Sequence, residues 1–93
     1  MREIDRSSAF RRDYKRLVRG RYGPALRDDL EAILSDLAEG RKLPPERRDH
    51  ALTGDWREYR ECHVKADLLL IYSFSGANVL RLARLGTHSE LFG

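Results

Sequence analysis

The chain has 93 residues and a mass of 10.8 kDa, which predicts a single domain over residues 1–93 with one hydrophobic core. Hydrophobic residues make up 41% and charged residues 35%, which excludes a disordered chain and a membrane protein as classes. The first five residues are polar and show no signal-peptide core. The single cysteine, Cys62, cannot form an intrachain disulfide. These features predict a cytoplasmic protein.

The net charge of +3 hides an uneven distribution. Residues 1–21 carry eight basic and three acidic side chains, and residues 41–48 carry four basic and one acidic. Between them, residues 22–40 carry one basic and five acidic side chains. Two basic segments that flank an acidic one indicate a polyanionic partner such as nucleic acid. A solvated helix face explains the same pattern equally well.

Two amphipathic helices are predicted in the first half, over residues 8–19 and 24–39. Their apolar residues recur at helical spacing, and Gly20 and Gly40 can end them. The link at 21–23 is short, which predicts an antiparallel helix pair. The apolar positions are Phe10, Tyr14, Leu17 and Val18 in the first helix and Leu26, Leu30, Ile33, Leu34 and Leu37 in the second.

The second half predicts a polar loop followed by a small sheet. Pro44 and Pro45 exclude helix from residues 40–55, a loop of the length that tends to carry function. Strands are predicted at 59–65, 68–74 and 79–85, with a short edge strand at 3–6. The order β-α-α-β-β-β predicts an α+β fold, in which the helix pair packs on one face of a small antiparallel sheet. The other face and its rim then carry any chemistry.

All three histidines, His50, His63 and His88, lie in the second half. Histidine gives or takes a proton near pH 7. Together with Asp67 and the cations of the strands, the histidines supply the groups needed to cleave RNA through the 2′-hydroxyl: a base, a cation for the phosphorane and an acid. A lone histidine in a loop is more often a surface residue with no such role. Phe92, next to the C-terminal glycine, either anchors the tail or stacks on a base.

Three segments of the second half resemble one protein family. They are R-D-H-A-L-T-G-D-W at 48–56, Y-R-E-C-H-V-K-A-D-L-L-L-I-Y at 59–72 and R-L-G-T-H-S-E-L-F-G at 84–93. The chain looks like a YafQ-type toxin of the RelE/ParE superfamily, from bacterial type II toxin–antitoxin modules. The resemblance covers essentially the whole chain and implies a RelE-like fold.

The resemblance implies an endoribonuclease that cuts mRNA in the ribosomal A site by 2′-hydroxyl attack, without metal or another cofactor. His88 would be the general acid, and either His50 or Asp67 the general base. His63 would orient or hold the phosphate, Arg84 would stabilise the phosphorane charge, and Phe92 would position the base. These six positions match the active-site positions of the family.

The resemblance also implies partners: a cognate antitoxin protein, the 70S ribosome through its 16S rRNA, and mRNA. Contact with operator DNA is expected only through the antitoxin, and no contact with membranes is expected. The candidate RNA-binding or ribosome-binding residues are Arg11, Arg12, Lys15, Arg16, Arg19, Arg47, Arg48, Arg60 and Lys65.

Two other hypotheses stay open from the sequence. A ParE-like toxin of the same fold would inhibit DNA gyrase by binding alone, and a degenerate family member would only sequester an antitoxin. A protein that only binds needs no set of acid and base groups, so the histidines and Asp67 favour the enzyme.

Overall fold

The computed structural model describes residues 1–20 and 22–93. Two short 3₁₀ turns, Pro45–Arg47 and Gly54–Trp56, lie in the middle of the chain among its strands and helices. The elements in chain order are β1 (Glu3–Arg6), α1 (Ser8–Val18), α2 (Gly23–Ala38), β2 (His50–Ala51), β3 (Arg60–Lys65), β4 (Leu68–Ser75), β5 (Val79–Gly86) and α3 (His88–Phe92).

Helices α1 and α2 confirm the two predicted helices. The Ser7 side chain accepts a hydrogen bond from the Phe10 amide at 2.9 Å, which caps the start of α1. Pro24 lies in the first turn of α2, where its missing N–H costs nothing. Arg21, in the predicted link, lies outside the described residues. In the described part of the chain, no helix has both the length and the apolar character that crossing a membrane requires.

The five strands form one sheet in the order β1-β5-β4-β3-β2. The central strand is β4, whose residues Leu68 to Tyr72 are all buried, as predicted for an apolar strand covered on both faces. The sheet is mixed rather than wholly antiparallel, because β1 pairs in parallel with β5. A four-residue strand with one strong apolar side chain, Ile4, carries no signal of its direction.

The main core lies between α1, α2 and one face of the sheet. Cys62 on β3 is fully buried in it, and this burial raises the pKa of its thiol to about 12. The thiol is therefore protonated and inert at neutral pH. The core residues are Phe10, Leu17, Leu26, Leu30, Ile33, Leu37, Cys62, Val64, Leu68, Leu70, Tyr72, Leu80, Leu82 and Leu85.

A bulge in β5 decides which of its side chains reach the core. Tyr72 pairs with Leu82 but Ile71 pairs with Arg84, so Ala83 is an extra residue in the strand. Leu82 and Leu85 consequently both lie in the core, although they are three residues apart. On β3 the side chains alternate without such an interruption from Glu61 to His63, so these two residues lie on the face opposite that of Cys62.

Candidate active site

Three of the six predicted site residues meet in one cleft at the rim of the sheet. His63 comes from β3, Asp67 from the turn between β3 and β4, and His88 from the first residue of α3. The cleft has a volume of about 530 Å³. We call it the histidine cleft, and its lining residues are Glu61, His63, Ala66, Asp67, Leu69, Thr87, His88 and Ser89.

Hydrogen bonds fix the orientation of His63 and Asp67. The Nδ1 atom of His63 lies 3.2 Å from the carbonyl oxygen of Ala66. A carbonyl only accepts, so Nδ1 carries a proton and Nε2 is the nitrogen that can exchange one. The Tyr22 hydroxyl donates to Oδ1 of Asp67 at 3.0 Å, which links the start of α2 to the cleft.

His50 lies beside the cleft and reaches it through Glu61. Its Nδ1 atom is 2.7 Å from the Arg48 carbonyl oxygen, and its Nε2 atom is 3.2 Å from Oε2 of Glu61. Both ring nitrogens therefore face an acceptor. A ring nitrogen that faces a backbone carbonyl or the Glu61 carboxylate is not directed at a substrate, so this geometry does not favour His50 as the group that takes the substrate proton.

Glu61 is a site residue that the sequence analysis missed. It is 6% exposed, and its Oε1 atom has no hydrogen-bond partner among the residues that the structure describes. A buried carboxylate in a cleft of acid and base groups is a candidate functional group. The sequence did contain a signal for Glu61: it stands two residues before His63 in a predicted strand, and a strand places such residues on one face.

Arg84 lies next to the cleft but does not line it. Its Nε and Nη2 atoms donate to the two carboxylate oxygens of Asp13 at 2.8 and 3.2 Å. Asp13 is 7% exposed and also accepts from the Leu85 amide at 3.0 Å. The hydrogen bonds that Arg84 donates to Asp13 raise the pKa of the Arg84 guanidinium above its ordinary value. Asp13 thus ties α1 to the end of β5 and holds this cation in place.

Phe92 belongs to a small group of aromatic rings beside the cleft. Its ring centroid is 5.2 Å from that of His88 and 5.9 Å from that of Trp56. Trp56 in turn contacts Tyr59 at 5.3 Å. Phe92 therefore anchors α3 and packs against the candidate general acid, whereas its stacking on a base stays a prediction.

The short helix α3, which carries His88 and Phe92, was not predicted. Thr87 and Glu90 form a capping box, in which the Thr87 amide donates to Oε1 of Glu90 at 2.8 Å. Oε2 of Glu90 accepts from Nη1 of Arg16 on α1 at 3.0 Å. The Thr87 amide first, and Arg16 in addition, lower the pKa of Glu90. A Cβ atom on Gly86 would lie 3.1 Å from Glu90 and 3.2 Å from Leu91, so glycine permits this close packing.

We expect Glu90→Ala to lower the free energy of unfolding, measured in urea, by about 0.5–1 kcal/mol, because a five-residue helix loses its cap. Glu90→Gln retains an acceptor for the Thr87 amide and is the matched control.

Since folding lowers the pKa of Glu90, the contribution of its charge to stability is present above the ordinary pKa of 4.5 and is lost as the pH falls below it. Urea unfolding of parent and Glu90→Gln at several pH values measures this difference, and an unchanged difference at acid pH would contradict it.

The predicted basic residues divide into two groups. The cations of the first helix are exposed on α1 or just after its end, and Arg16 among them bonds Glu90. Three others have partners within the protein. The exposed group is Arg11, Arg12, Lys15, Arg16 and Arg19. In the second group, Arg47 bonds the Val64 carbonyl, Arg60 bonds Asp49, and Lys65 bonds Asp29. Arg48 is exposed.

A second cavity, of about 500 Å³, lies between α1, α2 and β1. Its lining is mainly apolar and includes Ile4, Phe10, Leu30 and Leu34. It contains none of the six predicted active-site residues. Its chemistry suits an apolar ligand or side chain rather than proton transfer, so the histidine cleft is the candidate active site.

Comparison with known sequences gives one consistent result. A family model described as bacterial toxin of type II toxin–antitoxin system, YafQ, matches residues 2–93. An mRNA interferase toxin YafQ from Escherichia coli strain B is 36% identical over 93 residues, which covers 99% of this chain and 97% of that protein. The mRNA interferase toxin YafQ from E. coli K12 is 47% identical over 51 residues, so the chain spans only 54% of its length.

Solved structures agree with the sequence comparison. A copper-bound mutant toxin from Helicobacter pylori superposes with a TM-score of 0.88 at 35% identity, covering 99% of this chain and all of that one. A chain of the E. coli DinJ–YafQ complex superposes with a TM-score of 0.84 at 35% identity, covering both chains fully. In the described residues of the present chain, no group of three or more histidine, cysteine or carboxylate side chains is placed to hold a metal ion.

Proposed function

The chain belongs to the YafQ family of bacterial toxins of type II toxin–antitoxin systems, and on this premise we propose that it is an mRNA endonuclease whose active site is the histidine cleft. The relatives named mRNA interferases support this activity. The observation that carries the proposal is the meeting of His63, Asp67 and His88 in one cleft. The fold brings His88 of α3 to the pair from β3 and the following turn, and 2′-hydroxyl attack requires such groups together.

The reaction begins with removal of the 2′-hydroxyl proton and attack of that oxygen on the adjacent phosphorus. The P–O5′ bond then breaks, and the leaving 5′ oxygen takes a proton from the general acid. The products are a 2′,3′-cyclic phosphate and a 5′-hydroxyl end. His88 is the proposed acid, because it is exposed at the mouth of the cleft, and His63 contacts the phosphate through Nε2.

Asp67 is a better candidate for the general base than His50. Both nitrogens of His50 face acceptors, as described above, whereas the carboxylate of Asp67 lines the cleft and its Oδ1 atom is oriented by Tyr22. His50 then acts through Glu61, whose carboxylate its Nε2 atom contacts, and positions this buried side chain beside the reacting groups.

Arg84 and Phe92 have proposed roles at the edge of the cleft. The guanidinium of Arg84 contributes positive potential toward the phosphorane while Asp13 restrains it. The ring of Phe92 presents an aromatic surface beside His88 on which an mRNA base can stack.

We propose the ribosome and a cognate antitoxin as partners. The solved E. coli DinJ–YafQ complex is a toxin bound to its antitoxin and supports the latter. The exposed cations of α1 suit the phosphate backbone of 16S rRNA, and such contacts weaken strongly with salt. Because its substrate is held on ribosomes, the proposed activity takes place in the cytoplasm. The proposed reaction uses acid and base side chains and needs no metal cofactor. Operator DNA would be reached only through the antitoxin.

The test is cleavage of a defined mRNA, with and without programmed ribosomes, in the presence of EDTA. We expect cutting in the A-site codon only on ribosomes, and products that carry 2′,3′-cyclic phosphate and 5′-hydroxyl ends. If folded protein cuts under no condition, the proposal is wrong. Inhibition of gyrase supercoiling by the same sample would then support the ParE-like alternative.

A further inference from the structure

A second groove opens directly beside the histidine cleft. It has a volume of about 450 Å³ and shares two lining residues, His63 and Ala66, with the cleft. An extended RNA strand that leaves the cleft past His63 therefore enters this groove. We call it the basic groove, and its lining residues are Glu46, Arg47, Arg48, His63, Val64, Lys65 and Ala66.

Two of its three Lys and Arg side chains form the wall of the groove and are held by other groups. Nη1 of Arg47 donates to the Val64 carbonyl oxygen at 2.9 Å, and its Nη2 lies 3.7 Å from Oδ1 of Asp29. Lys65 forms an ion pair with Oδ2 of the same carboxylate. Lys65 above all lowers the pKa of Asp29, so this carboxylate stays ionised and offsets part of the two positive charges.

Arg48 differs from them in both side chain and backbone. Its guanidinium is exposed and makes no hydrogen bond or ion pair with any other residue that the structure describes. Its backbone is left-handed, with φ 51° and ψ 41°, a conformation that is strained for any residue but glycine and tolerated by few. The turn itself requires only the left-handed backbone of Arg48 and its carbonyl oxygen, which contacts Nδ1 of His50. A long cationic side chain at such a position indicates a task outside the protein.

We infer that the basic groove is a subsite for the mRNA backbone next to the scissile phosphate, and that Arg48 binds the phosphate held there, an inference that rests on the proposed function. A free guanidinium can donate two parallel hydrogen bonds to one phosphate. His63 then lies between the scissile phosphate and its neighbour. Backbone contacts carry no sequence information, so this subsite binds every RNA sequence equally.

The test is binding of short 2′-O-methyl RNA oligonucleotides, which cannot undergo 2′-hydroxyl attack, measured by fluorescence anisotropy between 50 and 200 mM salt. Arg48→Gly removes the cation and relieves the backbone, Arg48→Lys retains the charge, and Lys42→Gln removes an exposed cation outside both linings. We expect Arg48→Gly to weaken binding by about three- to tenfold and to lower the slope of log affinity against log salt by about 0.7. Arg48→Lys retains most of the slope, and Lys42→Gln behaves like the parent.

Three results would overturn the inference: Arg48→Gly binding as the parent does, Lys42→Gln losing as much affinity, or a parent that binds none of the oligonucleotides. Cleavage on ribosomes separates this inference from the proposed function. A parent that cuts mRNA while Arg48→Gly binds normally rejects only the groove. A parent that binds the oligonucleotides through Arg48 but never cuts mRNA rejects the endonuclease and leaves the phosphate contact in place.

Discussion

Replacing His88 by alanine should lower the rate of mRNA cleavage on programmed ribosomes by about 10²–10⁴-fold, the usual contribution of a general acid. His88 is exposed and outside the main core, so the free energy of unfolding should change little. The variant loses the ring contact with Phe92, which is a small packing cost. Single-turnover cleavage with saturating protein measures the chemical step directly.

His88→Gln is the matched control for this prediction, because it retains much of the size and polarity of the ring but cannot donate a proton as an acid. Both variants should lose cleavage while their urea unfolding curves stay close to that of the parent. A His88→Ala protein that cuts at the parental rate would exclude His88 as the general acid, and one that is unfolded would contradict the predicted small change in stability.

The second large effect that we expect is a loss of folding stability in variants of Asp13. We expect Asp13→Ala to lower the free energy of unfolding by about 2–4 kcal/mol, because it leaves the half-buried Arg84 guanidinium and the buried Leu85 amide without their acceptor. Asp13→Asn should cost less, since one side-chain oxygen can still accept. Equilibrium unfolding in urea measures both changes.

Asp36→Ala is the control for the loss of a carboxylate in a helix. Asp36 on α2 bonds Arg41 at 2.9 Å, and the Arg41 side chain is largely exposed. Pairs of this kind contribute about 0–1 kcal/mol, so this variant should stay close to the parent. Equal losses in the Asp13 and Asp36 variants would show that the hydrogen bonds Asp13 accepts from β5 stabilise the fold no more than an exposed ion pair does.

The sequence was sufficient to predict the elements whose signal is local. The apolar stripes of α1 and α2 and the continuous run from Leu68 to Tyr72 require only the spacing of neighbours, and all three were confirmed. The resemblance to YafQ toxins was confirmed by the family match. The chemistry of histidine also singled out His63 and His88 before any geometry was known, although their catalytic roles stay predictions.

The tertiary structure decided the features that depend on residues distant in sequence. The direction of β1 follows from its pairing with β5, and the bulge at Ala83 follows from the register with β4. The short helix α3 was missed because a helix of five residues has almost no intrinsic stability, and the ion pair that holds it joins Glu90 to Arg16 on the distant helix α1.

The candidate site shows the same division. The sequence could nominate Asp67 and Arg84 by charge, but their partners, Tyr22 and Asp13, lie 45 and 71 residues away. Its spacing from His63 placed Glu61 on the same strand face, but its burial beside His50 depends on the pairing of β2 with β3. Sequence spacing thus determined which side chains share a face of one helix or strand. Strand register and helix packing determined which of these faces meet, because contacts between faces join segments that no local sequence pattern connects.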